Sequence, residues 1–197
     1  EIPIGAGLGG GSSDAATTLK LLTKIPNSPS ITRVELFEIA SKLGADVPVC
    51  LHGKTTRMQG IGGKLKILQP LPRLPIVLVN PNFRLETKNV FMAFNGDYSE
   101  PIDSCLLEKP WSQEKLKDLL TSTQQNDLYE AAVSLAPEIS EVLTLLRELP
   151  GIIGLGMSGS GATCFAIFKQ GEKAKVNEAL RRLNETTWWH KLTYFKP

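Results

Sequence analysis

Apolar residues along this chain recur at helical spacing in some stretches and as short runs in others. Leu36, Ile39, Ala40 and Leu43 fall at i, i+3, i+4 and i+7, one face of an amphipathic helix. Thr32-Arg33-Val34-Glu35 opens that helix with a capping-box pattern, and Gly44 ends it. Ala15, Ala16, Leu19 and Leu22 give a second buried stripe, with Ser12 or Ser13 as the expected cap and Asp14 in the first turn. Ile139, Val142, Leu143 and Leu146 give a third, on a helix over 137–149 with Pro137 near its start. Further helices are expected over 87–94, 112–120, 128–135 and 172–183.

The short apolar runs read as strands: the tail of one at 2–4, then 47–51, 76–79, 152–155, 163–168 and 191–195. Strand and turn are expected over 55–68, around Gly60, Gly62 and Gly63. Residues 27–30 and 96–110 read as loops. Three prolines within residues 70–75 cannot sit inside a regular element and mark the best domain boundary. Beyond it strands and helices alternate, which predicts an α+β sandwich. There is no internal repeat.

Composition narrows the function classes. With 197 residues and 42% apolar content, the chain can bury a core as one large domain or two small ones. Lys and Arg number 22 against 20 Asp and Glu, and they are scattered, which argues against a nucleic-acid partner. The run at Ile76–Val79 is far too short to cross a bilayer, so no membrane association is expected. Cys50, Cys105 and Cys164 are odd in number and far apart, which points to buried free thiols rather than disulfides or zinc, and to the cytoplasm. The chain lacks an initial Met and meets a glycine-rich loop almost at once, so sequence upstream of Glu1 is expected.

The chemistry centres on that loop. Five glycines occupy the seven positions from Gly5 to Gly11, followed by Ser12 and Ser13. Glycine opens backbone N–H groups to a ligand, and a following helix N-terminus adds partial positive charge, so the segment suits an anion. A linker or tight turn is the competing structural reading. Gly5-Ala6-Gly7-Leu8-Gly9-Gly10 fits G-x-G-x-x-G, a dinucleotide fingerprint. The acid that fingerprint expects about 20 residues on is not supplied convincingly, because Glu35 belongs to the capping box. A Walker A loop fails, since Gly11 stands where its lysine should be.

The whole string from Pro3 and Ile4 through Gly5, Ala6, Gly7, Leu8, Gly9, Gly10, Gly11, Ser12, Ser13, Asp14 and Ala15 to Ala16 resembles the phosphate loop of the galactokinase, homoserine kinase, mevalonate kinase and phosphomevalonate kinase superfamily. The triple glycine followed by Ser-Ser and Ala-Ala is most similar to the branch acting on a cytidine-diphosphate-linked methylerythritol. The resemblance implies ATP and Mg²⁺, with Pro3 and Gly5 to Ser13 at the nucleotide and Ser13 at the metal. It implies that Asp46, in Gly44-Ala45-Asp46-Val47-Pro48-Val49, is the general base. From the residues alone, Asp46 could equally hydrogen-bond its own turn. Ser158, Gly159, Ser160 and Gly161 resemble a third family motif facing the active site, and a plain hairpin turn is the alternative. Phe91 resembles the aromatic that stacks on cytosine, with Thr87 beside it; a core phenylalanine is the bland reading. Asn126-Asp127-Leu128 resembles a further short motif, structural or site-adjacent.

The implied fold is α+β, a two-domain small-molecule kinase. Residues 1–72 would be the remainder of an incomplete N-terminal α/β ATP-binding domain, and 73–197 a ferredoxin-like C-terminal substrate-binding domain, as monomer or homodimer. Two departures stand. Gly63 replaces a glutamate common in the family. The family's catalytic lysine and much of its adenine pocket have no counterpart from Glu1 onward. Mevalonate or homoserine kinase, a non-catalytic nucleotide-binding fragment and an NAD-dependent oxidoreductase are the alternatives.

Overall fold

A computed structural model describes residues 2–27, 29–60, 63–122 and 126–195. The expected loop at 27–30 and the turn around Gly60, Gly62 and Gly63 fall partly outside them, at 28 and 61–62. The chain forms two compact units, Gly9–Pro70 on one hand, and Glu1–Leu8 with Leu71–Pro197 on the other.

The smaller unit holds helices α1 (Gly10–Leu22), α2 (Arg33–Leu43) and α3 (Val47–His52), then strands β1 (Thr56–Gln59) and β2 (Lys64–Ile67). Ala16, Ala40, Val47 and Leu51 form its buried centre. The capping box predicted for α2 is present: Glu35 N–H donates to Thr32 Oγ1, and Thr32 N–H to Glu35 Oε2 at 2.8 Å. Strands β1 and β2 pair antiparallel, Thr56 with Ile67 and Gln59 with Lys64.

Several expectations for this half are corrected. Residues 47–51 form a helix, not a strand. Pro48 sits in the first turn, where its fixed φ suits a helix, and Gly53 at φ 63° closes the end by donating to Val49 O. A short apolar run does not by itself separate the two. The helix after the glycine loop begins earlier than expected. Gly9, left-handed at φ 66°, is its cap rather than Ser12 or Ser13, Gly10 and Gly11 are already helical, and Asp14 lies past the first turn. Leu22, Ile39 and Leu43 are exposed, so the small core is made of Ala16 and Ala40 with Val47 and Leu51. Residues 2–4 pair with no strand among the described residues.

The larger unit runs β3 (Pro75–Asn80), α4 (Thr87–Ala93), α5 (Ser104–Glu108), α6 (Gln113–Ser122), α7 (Tyr129–Leu135), α8 (Glu138–Arg147), β4 (Ile152–Met157), β5 (Cys164–Phe168), α9 (Lys173–Leu183) and β6 (Trp189–Tyr194). Its four strands lie in the order β4-β5-β3-β6, every neighbouring pair antiparallel. With helices between the first and second strands and between the third and fourth, this is the ferredoxin-like arrangement that was expected.

Alternation along the strands divides the core between the two sheet faces. Val77, Val79, Cys164, Ala166 and Phe168 pack with the stripes of α7, α8 and α9, and all four predicted α8 positions are buried. Ile76, Ile153 and Ile167 face the other way, against Leu116 of α6 and the half-buried Trp111. The segment 96–110, expected as loop, contains α5, whose start is capped by Asp103 Oδ1 accepting from Cys105 N–H at 2.9 Å. The three thiols are free, but only Cys164 is buried. Cys105 is exposed because its short helix turns it to solvent. Burial pushes the Cys164 thiol up to about 12, out of reactive range.

Phe168 is the largest side chain fully buried in this core. Phe168→Ala is expected to destabilise the larger unit by about 3–5 kcal/mol, read as a fall in urea midpoint. A midpoint equal to the parent's would contradict the packing described.

Candidate active site

The hairpin between β4 and β5 ends in the turn Ser158–Gly161, where Gly159 and Gly161 both adopt positive φ, 56° and 85°. The turn is closed by Ser158 N–H donating to Thr163 O at 2.8 Å and Gly161 N–H donating to Ser158 O at 2.9 Å. Two asparagines hold it from outside. Asn126 Nδ2 donates to Met157 O at 3.2 Å and to Gly159 O, while its Oδ1 accepts from Leu128 N–H at 3.0 Å. Asn80 Nδ2 donates to buried Thr163 Oγ1 at 2.9 Å. The motif Asn126-Asp127-Leu128 is therefore a clamp on the glycine turn.

This turn meets the start of the glycine loop. Ser158 Oγ donates to Gly7 O at 2.9 Å across 151 residues of sequence. Gly7 is left-handed at φ 70°, and a Cβ there would lie 2.3 Å from Gly161 O and 2.8 Å from Ser158 O. Only glycine fits. Ala6 beside it is buried. On the other flank Thr87, at the first turn of α4, shares a 2.9 Å hydrogen bond with Ser160 Oγ. Phe91 lies one helical turn on, on the same face as Thr87. It is 55% exposed, whereas Val90 fills the core. Phe91 is thus not the core phenylalanine of the bland reading. Gly5 to Leu8, Thr87 and Ser158 to Gly161 are therefore gathered within one unit.

Pro3 also belongs to the larger unit, and the remaining expected residues, Gly9 to Ser13 and Asp46, lie in the smaller one. Cap residue Gly9 supplies no side-chain hydrogen bond to α1, and Ser13 N–H donates back to Gly9 O at 2.9 Å. A Cβ on Gly9, Gly10 or Gly11 would meet nothing within 4 Å, so the first-turn amides stand open. An open helix N-terminus of this kind is a candidate anion site. Helix α3, which packs beside α1, carries Asp46 at its N-cap. The carboxylate makes no capping hydrogen bond and is exposed. Partial burial first and the Asp46 charge second push the Cys50 thiol up, opposed by Lys20, whose Nζ donates to Cys50 O at 3.5 Å. Ser13 is exposed, and no cluster of His, Cys, Asp and Glu able to hold a metal exists among the described residues.

The dinucleotide-fingerprint alternative needs a parallel β-α-β unit. Among the described residues every strand pairing is antiparallel.

The model for the GHMP kinase N-terminal domain matches residues 1–54, and that for the C-terminal domain matches residues 112–186. A 4-diphosphocytidyl-2-C-methyl-D-erythritol kinase from Rhodospirillum rubrum is 42% identical over 96% of this chain and 61% of its own length. One from Ruegeria pomeroyi is also 42% identical, over 96% of this chain and 66% of its own. A solved 4-(cytidine 5'-diphospho)-2C-methyl-D-erythritol kinase superposes with TM-score 0.72 at 32% identity, covering 100% of this chain and 69% of that one. The chain belongs to this family of GHMP kinases. A homoserine kinase from Cytophaga hutchinsonii shares the GHMP fold at TM-score 0.68 and 14% identity. The chain spans 61% and 66% of the lengths of these two curated GHMP relatives.

Two local features near these residues were not read from the sequence. The left-handed Gly9 cap was hidden among five glycines, none distinguishable by type. Arg84 lies over Gly5, in a loop with no surrounding motif.

Gly7→Ala is expected to destabilise the larger unit by about 2–4 kcal/mol, since it adds strain at positive φ and a clash with two carbonyls. Asn126→Ala, which leaves two carbonyls without their donor, should cost about 1–3 kcal/mol. Urea unfolding reads both, and parent-like stability in either variant would contradict the geometry.

Proposed function

We propose that the chain carries ATP-dependent phosphorylation of the 2-hydroxyl of 4-diphosphocytidyl-2-C-methyl-D-erythritol, in the non-mevalonate isoprenoid pathway. The observation that supports this most directly is the open amide cradle at α1 beside α3 with its uncapped Asp46. An open helix N-terminus favours a polyphosphate, and a free carboxylate suits proton transfer from an alcohol. The names of the relatives supply the substrate.

In this reading the amides of Gly9, Gly10 and Gly11, with the Ser12 and Ser13 hydroxyls, hold the triphosphate. Pro3 and Gly5 to Leu8 continue the nucleotide loop. Ser13 is the protein ligand for Mg²⁺, an ion that typically takes few protein ligands beside phosphate oxygens. When bound, the ion neutralises charge on the phosphates. Asp46 takes the proton of the acceptor hydroxyl as the hydroxyl oxygen bonds to the γ-phosphorus and the bond from that phosphorus to the β,γ-bridging oxygen breaks, releasing ADP, so no covalent enzyme intermediate is needed. Phe91 stacks on the cytosine, and Thr87 with Ser158, Gly159, Ser160 and Gly161 orients the acceptor. Residues 1–72 then act as the nucleotide-binding part and 73–197 as the substrate-binding part. The three free cysteines suit a reducing compartment, the cytoplasm, and no described helix is long and apolar enough to cross a membrane.

The full-length gene product is expected to turn over 4-diphosphocytidyl-2-C-methyl-D-erythritol with MgATP in preference to mevalonate and homoserine. Asp46→Asn should lower kcat at least about 100-fold while leaving the ATP KM within about threefold. Wild-type turnover in the variant would remove Asp46 as the base. A preference for mevalonate or homoserine would overturn the substrate assignment.

A further inference from the structure

Two arginines of the larger unit, Arg84 and the exposed Arg147, have no acidic or aromatic partner among the described residues, and of these Arg84 is the one that lies against Gly5 of the glycine loop. Arg181 pairs with Glu178 and Glu185, Arg182 with Glu148, and Arg73 lies 5.3 Å from the Tyr194 ring centre. Arg84 is exposed and pairs with no carboxylate among the described residues. Its backbone is nevertheless pinned on both sides. Asn82 N–H donates to Asn80 Oδ1 at 2.8 Å, and Asn82 Nδ2 to Thr187 O at 2.7 Å. On the other side Leu85 is buried, with Cδ2 3.5 Å from where a Gly161 Cβ would stand. A Cβ on Gly5 would lie 3.2 Å from Arg84 Cγ and 3.9 Å from its Nε. The arginine stem thus rests on the first glycine of the loop, three residues before Thr87.

We propose that Arg84 is a diphosphate-binding residue of this site. Its guanidinium presents a planar fork matched to two phosphate oxygens, and no internal acid competes for it. The diphosphate can come from either co-substrate, the nucleotide or the cytidine-diphosphate-linked acceptor. The inference rests on the kinase reading above.

The test is steady-state kinetics of the full-length gene product and its Arg84→Ala, Arg84→Lys and Lys88→Ala variants. Lys88 is an exposed cation on α4 and serves as the control for the general field. Arg84→Ala is expected to raise one KM about tenfold or more, with kcat changed less, Arg84→Lys recovering part of the loss and Lys88→Ala without effect. A rise confined to the acceptor assigns its diphosphate, and one confined to ATP assigns the nucleotide. Calorimetric titration with inorganic pyrophosphate supplies a readout independent of turnover, and Arg84→Ala should weaken it about tenfold. If the wild type phosphorylates no acceptor but pyrophosphate binding still depends on Arg84, the kinase reading falls and the diphosphate contact stands. Unchanged KM values and unchanged pyrophosphate affinity, or equal losses in Lys88→Ala, would overturn the proposal.

Discussion

The arrangement of the candidate residues in the larger unit depends on how closely two backbones approach at Gly7. There the glycine loop lies against the Ser158–Gly161 turn with no room for a Cβ, and Ser158 ties the two by a hydroxyl-to-carbonyl bond. Such contact between distant segments needs both sides to be rigid. The turn is rigid because it ends the β4–β5 hairpin, is internally hydrogen-bonded, and is held by Asn126 and Asn80. Those two polar side chains do what apolar packing cannot: they give turn residues a fixed direction as well as a fixed position. Thr87 then reaches Ser160, and Phe91 follows from helical spacing.

The smaller unit works by leaving groups unsatisfied. Glycine at the cap of α1 supplies no side chain to quench the first-turn amides, and Gly10 and Gly11 leave them uncovered. The two helical glycines cost α1 helix propensity, about 1 kcal/mol each. Asp46 occupies a cap position without a capping hydrogen bond. The unit's buried centre is small and alanine-rich, which lets its helices pack closely.

Periodicity and punctuation made much of the fold legible. The α8 stripe, the α2 capping box and the antiparallel ferredoxin-like sheet were all implied by residue spacing or by the family likeness. Residues 47–51 were misread because a five-residue apolar run fits either period, and the deciding signals, Pro48 in the first turn and Gly53 beyond the last, are weak individually. The exposed Leu22 and Leu43 show that a stripe locates a face, not what covers it. In the site, glycine-rich segments declared themselves through composition. Their joining through Gly7 did not, because a contact across 151 residues leaves no local trace. Arg84 was invisible for a related reason: its significance lies in which glycine it touches.

The central claim is that the glycine loop holds the nucleotide phosphates while Phe91 faces the acceptor's base. A co-crystal structure of the full-length gene product with a non-hydrolysable ATP analogue and 4-diphosphocytidyl-2-C-methyl-D-erythritol tests it most directly. The account predicts triphosphate oxygens on the N–H groups of Gly9 to Ser13, the acceptor hydroxyl against Asp46, and cytosine stacked on Phe91. A nucleotide bound away from α1, or a cytosine held elsewhere with Phe91 bare, would contradict it.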